Sequence, residues 1–420
     1  MHDYTALSHL YDDWIDYPGF ELEKDFPESE YQLRLRRART LLEEHSLDGL
    51  VITSSAIGQW FTSSLEPHEW HDLCPSRSAW FILTDSDDRL YMTPTAGGEH
   101  FNTTRRSTWV SDIRQVVERS TWPRTEIWDL DQVTGWFRDL GLERGRVGFE
   151  LGDCMTLGIS VLDFMRLREL MPHAELVDGS SVIRRLMSVH TPAEIDRVRL
   201  ACEAGVWIHA QVTDLLRPGM TERQLFDALE DRFAAAYGDD YEYRAAGVWD
   251  VRNPARDDSN LFHAVATRRP YAAGDLVFRG WSGVRFRGYP ADVDRCWSVG
   301  KPSRDVLDLY RMAWECNRAM AEAVRPGNRC SDVHAAGAAV ESRHGFARKT
   351  GRTGHGLRNT GGLSVHPDNH TRLEAGMILS VEPMFSTVHG FFDLEDQYVL
   401  TEVGAEPLHE LAPQELPVIE

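Results

Sequence analysis

Four carboxylates and one histidine in the second half of the sequence have the types and spacing of a metal-binding or acid–base site. Asp292 and Asp294 stand two residues apart in the stretch GYPADVDRCW. Glu382 and Glu395 stand near the two ends of a later stretch, SVEPMFSTVHGFFDLEDQ, and His355 lies between the two stretches in the glycine-rich segment GRTGHGL. Side chains two residues apart on a strand point to the same face, so the two aspartates are expected to point the same way.

These residue types predict a divalent metal. Several carboxylates and an imidazole inside a sheet are very costly to bury unless something neutralises them. A divalent cation is the economical solution, and oxygen and nitrogen ligands suit Mn, Fe, Co or Zn. Taken one at a time, each acid could equally be a solvated residue at a strand edge.

An internal repeat predicts how these side chains meet. The segment Leu215–Phe233 is echoed by Ala323–Arg343, and AAGDLVFRGWSGVRFRGYPADVDRCWSVG is echoed by EAGMILSVEPMFSTVHGFFDLEDQYVLTE. Each half therefore predicts a helix, a turn, a second helix and a β-hairpin that carries acids. A duplicated α/β unit can bury both hairpins in one domain, with the carboxylates meeting at an internal pseudo-twofold axis.

The repeat follows a separate α/β segment of about 180 residues. The pattern there predicts a helix over SEYQLRLRRARTLLEEHSL, and strands in DGLVITS, AWFILTD, RLYMTP, RVGFE and AELVD. A long helix then begins at HTPAEID, where Thr191 can cap it, Pro192 suits the first helical position and Glu194 completes a capping box.

The chain resembles the methionine aminopeptidase, prolidase and creatinase superfamily. The resemblance is most specific in GYPADVDR, TGHGL, LEAGMILSVEPMF and FFDLEDQYVLTE. It implies an α/β protein in two parts: a creatinase-like N-terminal domain over residues 1–185, and a duplicated α+β pita-bread catalytic domain over residues 190–420. It also implies a homodimer and a metal-dependent hydrolase.

The resemblance implies a role for each residue of the site. Members hold two metals with Asp, Asp, His, Glu and Glu; here the second Asp is Asp292, the His is His355 and the two Glu are Glu382 and Glu395. This chain is expected to hold one or two metals. Glu382 would also act catalytically as a proton shuttle.

Two further histidines match positions that face the substrate in this superfamily. They are His263, in NLFHAVATRRP, and His366, in SVHPD, which stands four residues later than the usual spacing. Arg358 stands where relatives often have a glycine, and its guanidinium could bind a substrate carboxylate. A surface arginine is an equally good interpretation of that residue.

The sequence departs from the superfamily at the first Asp, whose position is occupied by Trp281. One consequence is a site with a single metal and an aromatic residue facing the substrate. Alternatively Asp294 substitutes as a ligand, since it shares a face with Asp292; its other interpretation is an ion pair with a nearby arginine. A third consequence is a metal-free site in which His263 acts as acid and base, as in creatinases.

The leading functional hypothesis is hydrolysis of a C–N bond, either amide or Xaa-Pro-like, in a small polar substrate such as a dipeptide. The alternatives are a lyase of the dimethylsulfoniopropionate-cleaving type, a metal-free creatinase-like amidinohydrolase, and a non-catalytic pita-bread binding protein. An aromatic stretch in the first domain suggests a lid over a partner's site, with core packing as the other interpretation; its residues are Trp60, Phe61, His68, Trp70 and His71.

Composition restricts the partners. The net charge is -21, from 66 acidic and 45 basic residues, which argues against a nucleic-acid partner because that needs clustered Lys and Arg. No run approaches the roughly 18 apolar residues of a membrane span. The first twenty residues lack the layout of a signal peptide, and the six cysteines form no CxxC pair. We therefore expect a cytoplasmic protein with reduced thiols.

Overall fold

The computed structural model describes residues 24–63, 80–84, 90–93, 106–114, 130–153, 155–245, 249–251, 268–280, 282–346, 351–357 and 363–420. The chain divides into two compact units, Met1–Leu186 and Met187–Glu420. Within the described ranges, no helix has both the length and the apolar character needed to cross a membrane.

The first unit is built on a five-stranded mixed sheet in the order β3-β2-β1-β4-β5. Its strands are β1 Gly49–Ile52, β2 Trp80–Thr84, β3 Leu90–Thr93, β4 Arg146–Phe149 and β5 Glu175–Asp178. The β2–β3 pair is antiparallel, whereas β4 runs parallel to both β1 and β5. The expected α/β organisation of this part of the chain is thereby confirmed.

Helices accompany this sheet, and a hydrophobic core forms between them. The helices are α1 Glu28–Glu44, α2 Ser55–Thr62, α3 Leu130–Asp139, α4 Val161–Leu170 and α5 Ser180–Ser188. Phe149 and Trp80 contribute to the core from the sheet, and Phe137 contributes from α3. The carboxylate of Glu150 accepts hydrogen bonds from Thr53 N and Thr53 Oγ1 at 2.6 and 2.8 Å, which ties the end of β4 to the end of β1.

The second unit contains the repeat that the sequence predicts. Its helices are α6 Pro192–Leu215, α7 Glu222–Ala236, α8 Arg304–Ala323 and α9 Cys330–Arg343. Helix α6 begins at the predicted capping box: Thr191 Oγ1 accepts from Glu194 N at 3.2 Å, and Glu194 Oε2 accepts from Thr191 N at 2.9 Å. The pairs α6–α7 and α8–α9 are therefore equivalent elements of the two halves.

Each predicted acid-bearing hairpin proves to be a four-stranded module. The first consists of β8 Leu276–Gly280, β9 Val284–Phe286, β10 Tyr289–Pro290 and β11 Arg295–Val299; the second consists of β13 Ile378–Val381, β14 Phe385–Thr387, β15 Gly390–Phe392 and β16 Asp396–Leu400. In both modules the outer two strands pair antiparallel, and the inner two form a short hairpin that belongs to a different sheet.

The remaining strands extend these sheets. They are β6 Tyr241–Tyr243, β7 Trp249–Val251, β12 Gly354–Gly356, β17 Ala405–Pro407 and β18 Val418–Ile419. The two main sheets have the orders β18-β11-β8-β7 and β12-β13-β16-β17.

The two modules pack directly against each other. The rings of Phe278 on β8 and Phe391 on β15 lie 4.8 Å apart, edge to face. Gly390 has a φ of 140°, and a Cβ atom there would lie 2.5 Å from Leu276 Cδ2. This close approach joins the inner hairpin of the second half to the outer strand of the first, and it brings the acid-bearing ends of both modules together.

Candidate metal centre

The chain places four of the predicted ligands on or beside neighbouring strands. His355 is the middle residue of β12, Glu382 directly follows β13, and Glu395 directly precedes β16. These three strands are adjacent in one sheet. Asp292 comes from the other module, just before β11, and its backbone N–H donates to Gln397 Oε1 at 2.9 Å. This hydrogen bond fixes the first module's acid beside β16 of the second.

The side chains of these residues converge on the imidazole. His355 Nε2 lies 3.3 Å from Asp292 Oδ2, 3.7 Å from Glu395 Oε1 and 3.8 Å from Glu382 Oε2. His355, Glu382 and Glu395 are all buried, whereas a fifth of the Asp292 side chain is exposed. The cluster is thus largely interior, and Asp292 is its most exposed member.

The hydrogen bonding of His355 fixes which nitrogen faces the acids. Its Nδ1 lies 2.9 Å from the carbonyl oxygen of Gly356, an acceptor, so Nδ1 carries the proton. In the neutral ring the Nε2 lone pair therefore points at three carboxylates. Orienting a histidine ligand by a backbone carbonyl in this way is the usual arrangement at metal sites.

Burial makes the cluster unfavourable without a counter-charge. It raises the pKa of the Asp292 carboxyl and of the Glu395 carboxyl, and the other carboxylates around Glu395 raise its pKa further. Burial also lowers the pKa of His355, which disfavours an imidazolium as the internal counter-ion. A cation coordinated by Asp292, His355 and Glu395 would compensate the buried negative charge of the two carboxylates.

The residues present fit a divalent cation. Ligand atoms of Asp292, His355 and Glu395 all lie within 4.8 Å of one another. Donors about 2.1 Å from one ion lie within roughly 4.2 Å of each other, so a small contraction would complete such a site. Glu395 Oε1 is buried and has no hydrogen-bond partner among the described residues, as expected of an atom that awaits a cation.

Asp294 lies in a neighbouring cluster rather than in this one. Its carboxylate groups with those of Glu382 and Asp393, again with ligand atoms within 4.8 Å of one another. Sequence reasoning did not select Asp393. The signal was present, since Asp393 precedes Glu395 by two residues, just as Asp292 precedes Asp294.

The other predicted site residues are not part of the described ligand cluster. His366 is partly exposed; its Nδ1 accepts from Asp368 N at 3.2 Å, and its ring lies 6.4 Å from that of His334. Its described contacts are thus outside the ligand cluster. His263, Arg358 and Trp281 lie outside the described residues.

The aromatic stretch of the first unit is only partly described. Trp60 and Phe61 are buried, and their rings pack edge to face at 4.7 Å, as the core-packing interpretation expects. His68, Trp70 and His71 lie outside the described residues.

A basic residue that sequence reasoning did not select also faces the cluster. Arg352 Nε lies 3.9 Å from Glu382 Oε2, and 40% of the Arg352 side chain is exposed. It is therefore placed to contact both a ligand carboxylate and a molecule arriving from solvent.

Comparison with known proteins identifies the class. The sequence profile of metallopeptidase family M24 matches residues 196–402, and that of the creatinase/prolidase N-terminal domain matches residues 34–189. The probable dipeptidase PepE of Mycobacterium tuberculosis is 31% identical over 288 residues, which span 66% of this chain and 73% of that protein. The chain therefore belongs to metallopeptidase family M24.

Solved structures agree with this assignment. The crystal structure of dipeptidase PepE from Mycobacterium ulcerans superposes with a TM-score of 0.74 at 26% identity, covering 94% of this chain and 99% of that one. The Xaa-Pro dipeptidase from Bacillus anthracis, at 18% identity and a TM-score of 0.72, covers 93% of this chain and 100% of its own and shares the fold.

These findings confirm the predicted superfamily and the pita-bread fold. As a member of this family, the protein is a metal-dependent hydrolase that acts on a C–N bond. The family and its relatives favour this class over the lyase, amidinohydrolase and non-catalytic alternatives.

Proposed function

We propose that hydrolysis takes place at a divalent cation held by Asp292, His355, Glu382 and Glu395. The bond attacked is an amide or Xaa-Pro-like C–N bond in a small polar substrate such as a dipeptide. One observation carries the proposal: the Nε2 lone pair of a buried histidine faces three carboxylates at 3.3 to 3.8 Å. Mn, Fe, Co and Zn all suit these oxygen and nitrogen ligands.

When bound, the cation would supply a Lewis acid that polarises the scissile carbonyl and lowers the pKa of water. Glu382 is the residue best placed to hold and move a proton, because its carboxylate adjoins both His355 and the partly exposed Arg352. His263 and His366 are proposed to stabilise the oxyanion or the leaving group. For His366 this role fits the acceptor state of Nδ1, which leaves Nε2–H free to donate.

The substrate class follows from charge and from relatives. The guanidinium of Arg352 could bind the terminal carboxylate of a dipeptide in bidentate fashion, a role that the sequence suggested for Arg358. Relatives described as dipeptidases support a dipeptide as the first substrate to test. We propose Trp281 as a neighbouring contact for the substrate.

The test combines removal of metal with removal of one ligand. Protein treated with chelator should lose hydrolysis of Xaa-Pro and other dipeptides, and added Mn, Co or Zn should restore it. His355→Ala should lower kcat/KM by at least ~100-fold, since loss of a residue that only hydrogen-bonds to a metal ligand already costs about 10–100-fold. His344→Ala is the matched control, because His344 lies at the end of α9 beside Glu315 at 2.9 Å.

Two results would contradict this assignment. Hydrolysis that survives complete removal of metal would exclude the metal mechanism. Tight metal binding with no turnover across dipeptides, other small amides and lyase substrates would instead favour the non-catalytic alternative.

We propose a cytoplasmic homodimer without a nucleic-acid partner, in which residues 1–185 and 190–420 form the two domains. Light scattering on the purified protein tests the dimer, and limited proteolysis tests the boundary between the domains.

A further inference from the structure

The side-chain amide of Asn317 on α8 joins the two backbone segments that carry Glu382 and Glu395. Its Nδ2 donates to the carbonyl oxygen of Val381 at 3.2 Å and also to that of Leu394. Val381 directly precedes Glu382 in the chain. In the same way, Leu394 directly precedes Glu395. One side chain therefore connects the peptides next to two of the proposed metal ligands.

The orientation of this amide is fixed by its oxygen. Asn317 Oδ1 accepts from Arg318 Nη2 at 2.6 Å and from Tyr398 OH at 3.5 Å. Both partners are donors, so the oxygen faces them and the nitrogen faces the two carbonyl groups. Asn317 is fully buried, and a buried amide is costly unless its donors and its acceptor are paired. These hydrogen bonds therefore account for an asparagine at this position of the helix.

The ladder between β13 and β16 ends just before the proposed ligands. Its last registered pair is Val381 with Asp396. At the next position, Glu382 N donates to the carbonyl oxygen of Thr353, on the side of β12, at 2.8 Å. The segments that carry Glu382 and Glu395 therefore extend beyond the paired part of these two strands.

A proline prevents the ladder from continuing. Extended by two positions, the register places Pro383 opposite Leu394, and proline has no N–H to donate to the Leu394 carbonyl. Asn317 supplies a donor to that carbonyl from α8. Its amide thus takes the place of a ladder hydrogen bond at the point where Glu382 and Glu395 have to stay close enough to share one ion.

The equivalent position in the first half of the repeat differs. Pro218 and Pro326, which follow α6 and α8, are 108 residues apart, and the same offset relates Asn317 of α8 to His209 of α6. His209 is also buried, but neither of its ring nitrogens has a hydrogen-bond partner among the described residues. In that half, Trp281 occupies the position of the superfamily's first aspartate. The hydrogen-bonded side chain thus occurs in the half whose two strand ends both carry a proposed ligand.

We propose that Asn317 is a positioning residue for the metal centre. By joining the peptides before Glu382 and Glu395, it keeps the two carboxylates at the spacing that one cation requires. The inference rests on the proposed function, because it presupposes that these glutamates bind a metal. Asn317 acts through the backbone of the two ligands and is not itself a ligand.

Binding of Mn²⁺ to the folded apo protein measures this role. Asn317→Leu keeps a side chain of similar size and removes the donor. Calorimetric titration should give a dissociation constant for Mn²⁺ about 10–100-fold above that of the wild type, as for the loss of other residues that support a metal ligand. Asn317→Ser, whose hydroxyl is too short to reach both carbonyls, should weaken binding in the same direction.

Tyr310→Phe is the matched control. Tyr310 is buried on the same helix, and its hydroxyl donates to the carbonyl oxygen of Pro413 at 2.8 Å. This variant also loses a hydrogen bond to a backbone carbonyl, so its melting temperature should fall while its dissociation constant for Mn²⁺ stays at the wild-type value. The comparison separates a loss of stability from a loss of ligand positioning.

Three results would contradict the inference. A folded Asn317→Leu or Asn317→Ser protein that binds Mn²⁺ as tightly as the wild type would overturn it and leave the proposed metal centre intact. Equal weakening in Tyr310→Phe would also overturn it, because the effect would then follow from stability. Absence of Mn²⁺ binding by the wild type would overturn the metal centre and the inference together, so the two failures are distinguishable.

Hydrogen exchange on the wild type covers the case in which neither Asn317 variant folds. If Asn317 holds the strand ends, the backbone amides of Val381, Glu382 and Asp396 should be protected to the same extent in the apo and the Mn²⁺-loaded protein. Protection of these amides only in the loaded protein would show that the cation, rather than Asn317, holds the strand ends, and would overturn the inference.

Discussion

At the scale of single residues, two adjacent acids perform opposite tasks. Glu395 faces the metal cluster, whereas the next residue, Asp396, is fully buried in an ion-pair network. Asp396 Oδ1 lies 3.0 Å from Arg295, and its other oxygen contacts Arg318. Alternation along the strand separates the two roles, because successive side chains point to opposite faces.

Removing the Asp396 charge should destabilise the protein without emptying the metal site. Asp396→Asn leaves the buried guanidinium of Arg295 and the partly exposed one of Arg318 without their counter-charge, so we expect a loss of about 3–5 kcal/mol in the free energy of unfolding. Urea denaturation of the apo protein measures this loss of stability. Asp368→Asn, at a side chain that is 90% exposed, is the control and should change stability by less than about 0.5 kcal/mol.

A loss below about 1 kcal/mol for Asp396→Asn would show that the network contributes little. A lower metal content per folded chain would show that the network positions the ligands as well.

The proposed ligands could be predicted because their motifs resemble those of the superfamily. Asp292, His355, Glu382 and Glu395 each lie in a short stretch that carries this resemblance. Asp393 and Arg352 were not predicted, because their significance depends on which residues from the other segments they meet. A carboxylate two positions from a proposed ligand, such as Asp393, becomes part of a cluster only because other segments place further carboxylates beside it.

At the scale of elements, helix α6 shows how far local rules reach. Its first turn is set by side-chain contacts between residues three apart, Thr191 and Glu194, and these were predictable. The strands were harder to divide. The turn between β9 and β10 is made by Arg287 and Gly288, with φ of 45° and 79°, and arginine is an uncommon residue at positive φ. The sequence therefore predicted one hairpin where the chain forms four strands.

The capping box gives a prediction for α6. Thr191→Ala removes the oxygen that accepts from Glu194 N, so the free energy of unfolding should fall by about 1 kcal/mol. Thr191→Ser keeps the hydroxyl and should stay close to the wild type. Thermal denaturation of the three proteins compares them, and equal loss in both variants would mean that the methyl group, rather than the cap, carries the effect.

At the scale of the whole molecule, a buried histidine links the metal cluster to acid stability. His409 Nε2 accepts from Gln397 N at 3.0 Å, and its Nδ1–H donates to the carbonyl oxygen of Glu410 at 2.8 Å. Gln397 in turn holds Asp292. Burial lowers the pKa of His409 to about 4. The nearby carboxylate of Asp396 raises this pKa, whereas the positive charges of Arg295 and Arg318 lower it.

The sign of the pH dependence follows from this lowered pKa. As the pH falls below the ordinary value for histidine, the unfolded chain takes up the proton while the folded chain does not, so stability is lost between about pH 6.5 and 4. His409→Gln keeps an acceptor for Gln397 N and removes the titration. Between pH 7 and pH 5 the wild type should lose about 2 kcal/mol more than this variant.

Denaturation of apo protein at several pH values measures the difference. Parallel stability profiles for the wild type and His409→Gln would contradict the neutral, buried state of His409.

The duplicated architecture explains why so much of the site was predictable and why its details were not. The repeat of helix pairs and acid-bearing modules is visible in the sequence and implies that the acids meet. The hydrogen bond from Asp294 N to the carbonyl oxygen of Glu395 and the close approach of Gly390 to Leu276 determine how the two modules are aligned. Such contacts join residues about a hundred positions apart, and no local pattern specifies them.

Anomalous diffraction from crystals of the Mn²⁺-loaded protein tests whether Asp292, His355, Glu382 and Glu395 hold a metal ion. We predict one strong peak at coordination distance, about 2.1 Å, from His355 Nε2. An absence of any peak beside His355 would contradict the account of the active site.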